Sequence, residues 1–185
     1  MIILSGKYMG LDSVELILGW EEAFGISISD GEAEAMFTTR QIVDRIFQKV
    51  RSDLPEDRGC LSMRAFFRLR KAFETEGVPR HKVRPEVKVS SLLPGRRRRD
   101  VLSMVSQRSG LQPLPRMPFG LQFTFGRVRD IVTDAVIQQH KALRLAGHGW
   151  SRAQVREVVR AVMFTQLALR KFSDDAEIVK DLGVD

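Results

Sequence analysis

The residue types that most often carry out chemistry are few in this sequence and scattered along it. The chain of 185 residues has one cysteine, Cys60, and three histidines, His81, His140 and His148. None of them has a Ser, Cys or carboxylate partner at a spacing that identifies a catalytic or zinc site, and a lone cysteine excludes an intramolecular disulfide. We therefore predict a protein that is not an enzyme and holds no metal, with structural or solvent-facing histidines.

Two clusters of charged residues are the stronger candidates for a functional surface. One is acidic and falls on a single face of the first predicted helix: Asp12, Glu15 and Glu22. The other is a run of four arginines: Arg96, Arg97, Arg98 and Arg99. Arginines in a run can bind phosphates, an anionic membrane surface or the acidic face of a protein. Both clusters are predicted to bind partners, and solvated helix or loop surfaces remain the alternative for each.

The charge is distributed unevenly. The chain has 30 Lys and Arg against 23 Asp and Glu, a net charge of +7, which first suggests nucleic-acid binding. Residues 8–50, however, contain eight acids and three bases, whereas residues 51–150 contain nine acids and twenty bases. An acidic and a basic segment in one chain favour docking to proteins of opposite charge. Nucleic-acid binding is less favoured, because no helix-turn-helix signal accompanies the basic segment. Its aromatic residues Phe66, Phe67 and Phe73 have helical spacing and are predicted to be core.

The elements that must position these residues are predicted to be helices, so the fold class is all-α. The predicted helices cover residues 11–24, about 32–36, 39–50, 63–76, 96–108, 124–147 and 152–169. Gly25, Thr38 or Thr39, and Ser151 with Gln154 supply the signals for helix ends. In the first helix, one set of residues is predicted to face the core: Leu11, Val14, Ile17, Leu18 and Phe24. Gly19 is predicted on the opposite, polar side with the acids.

The sequence contains a weak internal repeat. Residues 78–93 align with 167–182 at an offset of 89, and residues 24–30 and 38–46 align with 109–115 and 124–132 at offsets of 85 and 86. The consistent period predicts a duplicated unit of about 85–90 residues, although two unrelated sets of amphipathic helices could share such a period by chance.

Both ends of the chain resemble acyl carrier proteins. The residues that carry the resemblance are Leu11-Asp12-Ser13-Val14-Glu15-Leu16, Trp20 to Ile26, Asp30-Gly31-Glu32-Ala33, Thr38-Thr39 and the ending from Phe172 to Asp185. The ending is similar to the first half of a carrier domain and the start to the second half. The resemblance implies a permuted carrier domain made of residues 8–50 and 151–185, with residues 62–147 as an inserted, degenerate and basic copy. The fold implied is two small four-helix-type bundles, in a monomer or a domain-swapped dimer.

The resemblance also implies a cofactor site and shows that its serine is missing. Carrier domains hold 4'-phosphopantetheine on a serine at the start of their second helix, and the family spacing places that serine at Gly10. In the degenerate copy the corresponding region begins at Gly95. Ser13 is a weak candidate that falls about one turn late, where a surface helix position is the alternative. We therefore expect no cofactor, with 4'-phosphopantetheine on Ser13 as the minority interpretation.

The predicted function is a carrier-like protein that docks enzymes or carrier proteins of fatty-acid-type or secondary-metabolite biosynthesis without an arm. A functional, arm-bearing carrier protein is one alternative, and a basic protein that binds nucleic acid or an anionic surface is another. The short apolar run at the start is not typical of a signal peptide, and no stretch reaches the length of a membrane span. We therefore expect a soluble, cytoplasmic protein.

Overall fold

Helices are the main secondary structure in the described part of the chain. The computed structural model describes residues 10–93, 95, 98–111, 126–169 and 171–184, with the backbone alone for 98 and 99. The helices are α1 (Leu11–Phe24), α2 (Asp30–Ala33), α3 (Thr39–Val50), α4 (Leu61–Thr75), α5 (Val89–Leu92), α6 (Arg98–Ser109), α7 (Val128–Leu143) and α8 (Arg152–Leu167), with a 3-10 turn at Arg80–Lys82. Within these residues β-pairing is limited to isolated bridges, so the all-α prediction is confirmed. Across the same ranges, every helix is too short or too polar to cross a bilayer.

Local side-chain chemistry sets several helix ends where the sequence predicts them. Gly25 ends α1 in the left-handed conformation, with φ of 65°. The Thr38 hydroxyl caps α3 by accepting a hydrogen bond from the Gln41 backbone N–H, and the Ser151 hydroxyl caps α8 by accepting from the backbone N–H of Gln154.

The chain divides into two compact units. Unit 1 comprises Met1–Glu56 with Gly149–Asp185, and unit 2 is the intervening segment Asp57–His148. Unit 1 has 16 acidic and 11 basic residues, whereas unit 2 has 7 acidic and 19 basic residues. Each unit therefore has its own charge character, acidic for unit 1 and strongly basic for unit 2.

Unit 1 is organised around α8, which packs against both α1 and α3. Its core includes Trp20, Ile46 and Val159, at 2%, 0% and 0% exposure. The indole Nε1 of Trp20 donates a hydrogen bond of 3.3 Å to the Val159 carbonyl, which ties α1 to α8.

The face that α1 turns to the core differs from the predicted one. The buried residues are Ser13, Leu16, Trp20, Ala23 and Phe24. Leu11, Val14 and Leu18, predicted as core, are 74%, 40% and 57% exposed. Gly19, predicted on the polar side, faces α8: a Cβ there would lie 2.5 Å from Gln166 Nε2. Because α1 is apolar around most of its circumference, periodicity does not identify its inner side, and the close approach that glycine permits is what selects it.

Unit 2 is organised in a similar way around α4, which packs against α6 and α7. Phe73, Val105 and Leu143 are at most 1% exposed and lie in its core. The segment between α4 and α6 also contributes, since Val83 and Val89 are at most 1% exposed.

A buried ion pair fastens the beginning of unit 2 to the end of α7. The carboxylate of Asp57, 1% exposed, accepts hydrogen bonds from both terminal nitrogens of Arg64, at 2.5 and 2.7 Å. It also accepts from the backbone N–H groups of Gly59 at 2.9 Å and Leu145 at 2.8 Å. Arg64 Nη1 donates in addition to the Leu143 carbonyl at 3.0 Å. Residues 57–64 and 143–145 are therefore held together.

The chain enters and leaves unit 2 at neighbouring points. On the unit 1 side, the Gly149 N–H donates a 2.9 Å hydrogen bond to the Pro55 carbonyl. On the unit 2 side, the bond from Leu145 to Asp57 joins the two ends of the segment. Unit 2 is thus connected to unit 1 as an insertion whose two ends lie close together.

Candidate functional site

The start of α1 has the backbone geometry of a helix N-terminus without a side-chain cap. Gly10 is the N-cap residue, with φ of −72° and ψ of 176°, an extended conformation that any residue can adopt. Its carbonyl accepts a hydrogen bond of 3.3 Å from the Val14 N–H. Asp12 lies in the first turn, where a negative charge is favoured by the helix dipole. The position that the carrier resemblance assigns to a modified serine is therefore a helix N-terminus that carries no hydroxyl.

Ser13 lies on the inner side of α1. It is 8% exposed and belongs to the same stripe as Leu16 and Trp20. The alternative interpretation of Ser13 as a surface helix position is therefore wrong. A phosphodiester with a long arm requires solvent, so this burial disfavours attachment at Ser13.

The outer side of α1 presents apolar and acidic residues together. We call this surface the α1 face and define it by Leu11, Val14, Glu15, Leu18 and Glu22. These positions follow helical spacing, and all five are exposed. Asp12 borders this face and is half-buried. Two of the three acids predicted to bind a partner therefore share the α1 face with exposed leucine and valine side chains.

Packing from α8 and from the loop after α1 fixes the orientation of the α1 face. Gln166 Nε2 donates a 3.0 Å hydrogen bond to the Glu15 carbonyl. The Phe24 ring lies 5.2 Å from the ring of Trp150, centroid to centroid. The Glu21 carboxylate accepts a 2.6 Å hydrogen bond from the Ile28 N–H. Glu21 thus organises the loop after α1, a role that its sequence position does not reveal.

An ion pair anchors α2 to α3. Lys49 Nζ lies 2.8 Å from Glu32 Oε1, and the other carboxylate oxygen of Glu32 accepts from the Ser29 N–H at 3.0 Å. The hydrogen bond from Lys49, followed by that from Ser29, lowers the pKa of Glu32 to about 2. Helix α2 is therefore held by a carboxylate that stays ionised at neutral pH.

The tail of the chain closes unit 1 through charged contacts. Asp174 accepts hydrogen bonds from Arg156 at 2.5 Å and from Arg160 at 2.7 Å. Partial burial opposes ionisation of Asp174, but these two arginines outweigh it and lower its pKa. Arg160 also lies over the Phe172 ring, 3.9 Å from its centroid. The residues after α8 are thus bound back onto α8.

The structure describes only the backbone of the second half of the arginine run. Arg96 and Arg97 lie outside the described residues, and Arg98 and Arg99 form the first turn of α6 by their backbone. The partner-binding prediction for these four side chains stays a prediction.

The histidines and the cysteine are spread over unit 2. His140 is 4% exposed, with Nδ1 2.9 Å from the Ile137 carbonyl, and burial lowers its pKa. His81 is exposed. Cys60 precedes α4, and its sulfur accepts a hydrogen bond from the Met63 N–H. In the described ranges, no three His, Cys, Asp or Glu side chains are grouped as a metal site requires.

Helix α4 exposes aromatic residues that the spacing assigned to the core. Phe73 is buried as predicted, but Phe67 is 46% exposed, Met63 is 51% exposed and Phe66 is half-buried. The Arg70 guanidinium lies over both aromatic rings, 5.2 Å from the centroid of Phe66 and 4.8 Å from that of Phe67. We call Met63, Phe66, Phe67 and Arg70 the α4 patch.

Comparison with known proteins supports a relationship to acyl carrier proteins. A segment of 40 residues, 22% of this chain, is 52% identical to the acyl carrier protein of Thermosynechococcus vestitus. The match spans about half of that protein, 49% of its length. No family model matches the chain, and no solved structure matches it. The similarity is therefore local, and it agrees with the resemblance predicted from the sequence.

Proposed function

We propose that this chain is a carrier-like docking protein without a phosphopantetheine arm, built from two copies of one helical unit of which the first is permuted. The observation that carries the proposed function is the α1 face, which presents exposed leucine and valine among acidic residues. Such a surface suits a basic, partly apolar partner, because opposite charges accelerate and orient the encounter. The partners proposed are enzymes or carriers of fatty-acid-type or secondary-metabolite biosynthesis.

The duplication is supported by backbone hydrogen bonds that recur at one offset. In unit 1 the Ile178 N–H donates to the Phe37 carbonyl at 2.8 Å, and in unit 2 the Val89 N–H donates to the Gly126 carbonyl at 3.3 Å. Both residues of the first bond lie 89 positions from their counterparts, although the order along the chain is reversed. That reversal is what a permuted copy requires.

A matching pair of salt bridges follows the same offset. Arg40 pairs with Asp175 in unit 1, and Arg129 pairs with Glu86 in unit 2. The same arginines donate backbone hydrogen bonds to the Asp174 and Pro85 carbonyls, at 2.8 and 2.9 Å. The contacts favour an offset of 89 for the segment after residue 38, three residues more than the sequence alignment indicates.

The absence of an arm is supported by the start of α1. Gly10 offers no nucleophilic oxygen, and Ser13 faces the core at 8% exposure. The same helix N-terminus could accept a phosphodiester once it carried a hydroxyl, because its backbone N–H groups and dipole favour an anion.

A labelling experiment tests the missing arm and the sequence register together. The chain is incubated with a promiscuous phosphopantetheinyl transferase and coenzyme A, and its intact mass is measured. We expect no mass gain in the natural chain and the gain of one arm in Gly10→Ser. Gly31→Ser is the matched control, because a Cβ at Gly31 meets no atom within 4 Å, and it should stay unlabelled. Labelling of the natural chain that disappears in Ser13→Ala would overturn the proposal.

A competition experiment tests docking. The natural chain should slow the labelling of an authentic acyl carrier protein by the same transferase, since both would present a similar helix face to it. Glu15→Lys should lose this inhibition, because it reverses one charge in the middle of the α1 face. Asp53→Lys makes the same charge change at an exposed position outside that face and should retain it. Absence of inhibition by the folded chain under conditions in which it is monomeric, or equal loss in both variants, would contradict the docking role.

A further inference from the structure

The α4 patch is an exposed apolar surface on a helix whose opposite side is already buried in the core of unit 2. The inner side of α4 is fully packed in the core of unit 2, with Leu69 at 2% exposure and Phe73 at 0%. Its other side still exposes Met63 and Phe67, with Phe66 half-buried beside them. The helix is therefore apolar on two sides, and the fold of unit 2 uses one of them.

Arg70 gives this second side a defined geometry. Its guanidinium lies over the two phenyl rings, which are 5.8 Å apart and tilted by 54°. Stacking of this kind restrains the side chain and leaves its N–H groups able to bind a carboxylate. Arg68 and Lys71 are exposed on the same helix, and Glu74 follows one turn later.

The complementary surface is present on the same chain. The α1 face has exposed apolar residues at helical spacing, with Glu15 and Glu22 among them. The α4 patch pairs apolar residues with cations, whereas the α1 face pairs apolar residues with anions. The net charges of the two units are also opposite in sign, since unit 1 has five more acids than bases and unit 2 has twelve more bases than acids.

We propose that the α4 patch of one molecule binds the α1 face of a second copy of this chain. Each contact joins unit 2 of one copy to unit 1 of another, and a dimer with two-fold symmetry closes when two such contacts form, one in each direction. Phe67 and Met63 pack against the exposed leucines and valine, and Arg70 pairs with a carboxylate of the α1 face. Because the contact has charges of opposite sign on its two sides, salt weakens it.

Sedimentation velocity across protein concentration and salt tests this inference. We expect reversible dimerisation of the natural chain at low ionic strength and a shift towards monomer when salt is raised. Arg70→Glu and Phe67→Ser should each raise the dissociation constant by about tenfold or more, because each acts at the centre of the contact. Arg80→Glu, an equal charge change at an exposed residue of unit 2 outside the patch, is the matched control and should dimerise normally.

A charge exchange gives the decisive result. Glu15→Arg should weaken self-association as Arg70→Glu does, and an equimolar mixture of the two variants should dimerise better than either alone. Circular dichroism of each variant establishes that it is folded. A natural chain that stays monomeric at low salt would overturn the inference, as would a dimer unaffected by salt and by Arg70→Glu, which is the behaviour of a domain-swapped dimer. Tighter binding of duplex DNA or anionic vesicles to the patch than of a second copy would also overturn it.

The inference shares the α1 face with the proposed function, but the two can fail separately. Arg70→Glu and Phe67→Ser change unit 2 only, so these variants should still inhibit the labelling of an acyl carrier protein. If dimerisation fails while inhibition remains, the self-association is wrong and the docking role stands. If inhibition fails in a monomeric variant, the docking role is wrong.

Discussion

Replacing Asp57 by alanine should destabilise unit 2 by about 3 kcal/mol. The carboxylate is 1% exposed and accepts four hydrogen bonds, two of them from Arg64. Its removal leaves a guanidinium whose side chain is only 23% exposed without its counter-charge. Removing one partner of a buried pair typically costs about 3–5 kcal/mol. The lower end applies here, because Arg64 is partly hydrated and keeps its bond to the Leu143 carbonyl.

Hydrogen exchange measured on peptides is the suitable assay, because it reports on each unit separately. Tryptophan fluorescence cannot serve, since Trp20 and Trp150 both belong to unit 1. A loss of about 3 kcal/mol should speed exchange in the protected amides of α4 and α7 about 100-fold, at about 1.4 kcal/mol for each factor of ten. Amides of α1 and α8 should be unchanged while unit 2 remains folded.

Two variants calibrate this prediction. Asp57→Asn keeps the size of the side chain and one acceptor oxygen, so its effect should lie between those of the natural chain and Asp57→Ala. Glu86→Ala removes an ion pair with Arg127 and Arg129 in the same unit, but its side chain is 61% exposed, so exchange should stay close to that of the natural chain. The reasoning fails if Asp57→Ala speeds exchange in α4 by less than about tenfold, because removal of a solvent-exposed ion pair would have so small an effect.

Further predictions concern unit 1 and can be followed by tryptophan fluorescence. Gly19→Ala should destabilise unit 1 by about 1–3 kcal/mol, because its Cβ would lie 2.9 Å from Cγ1 of Val162, a branched side chain that can move little. Gly31→Ala, in open space, should be neutral, and equal denaturation midpoints for both variants would refute the close packing. The lowered pKa of Glu32, about 2 in the folded chain, predicts that its contribution to stability is complete above pH 4.5 and is lost as pH falls towards 2. Glu32→Gln should remove this part of the acid sensitivity, and an unchanged acid profile would contradict the role of the Lys49 pair.

The sequence predicted the longer helices because short-range chemistry sets several of their ends, but it did not predict the four-residue helix α5. A glycine at the end of α1 and hydroxyl caps at Thr38 and Ser151 act within three residues, so their effect can be judged locally. The start of α4, predicted at residue 63 and observed at Leu61, shows the usual uncertainty of a helix end.

The inner and outer faces of helices were predicted less well, since they depend on what packs against them. Leu11 and Phe67 are apolar and periodic, yet both are exposed, whereas Ser13 is buried. Periodicity identifies one side only when the other is polar, and neither α1 nor α4 meets that condition. The glycine at position 19, which lets α8 approach α1, acts across more than 140 residues of sequence.

The candidate site could be predicted in part. The spacing of the acids and the missing hydroxyl at Gly10 follow from the sequence alone, because they lie within one helix. The bond from Glu21 to the loop after α1 and the ion pair of Asp57 with Arg64 could not be predicted. Glu21 bonds a backbone N–H, and the Asp57–Arg64 pair also depends on the Leu145 N–H and the Leu143 carbonyl. Every residue has such backbone groups, and only the folded chain brings the right ones within reach.

The adjacent ends of unit 2 have a consequence for the chain entropy of unit 1. With unit 2 unfolded, residues 57–148 form a long flexible loop between α3 and α8. Closing that loop costs about 2–3 kcal/mol more than closing a linker of a few residues. When unit 2 folds, the bond between Leu145 and Asp57 holds its two ends together, and this cost disappears from the folding of unit 1. The inserted unit therefore stabilises its host through connectivity, and the efficient order of folding is the insert first.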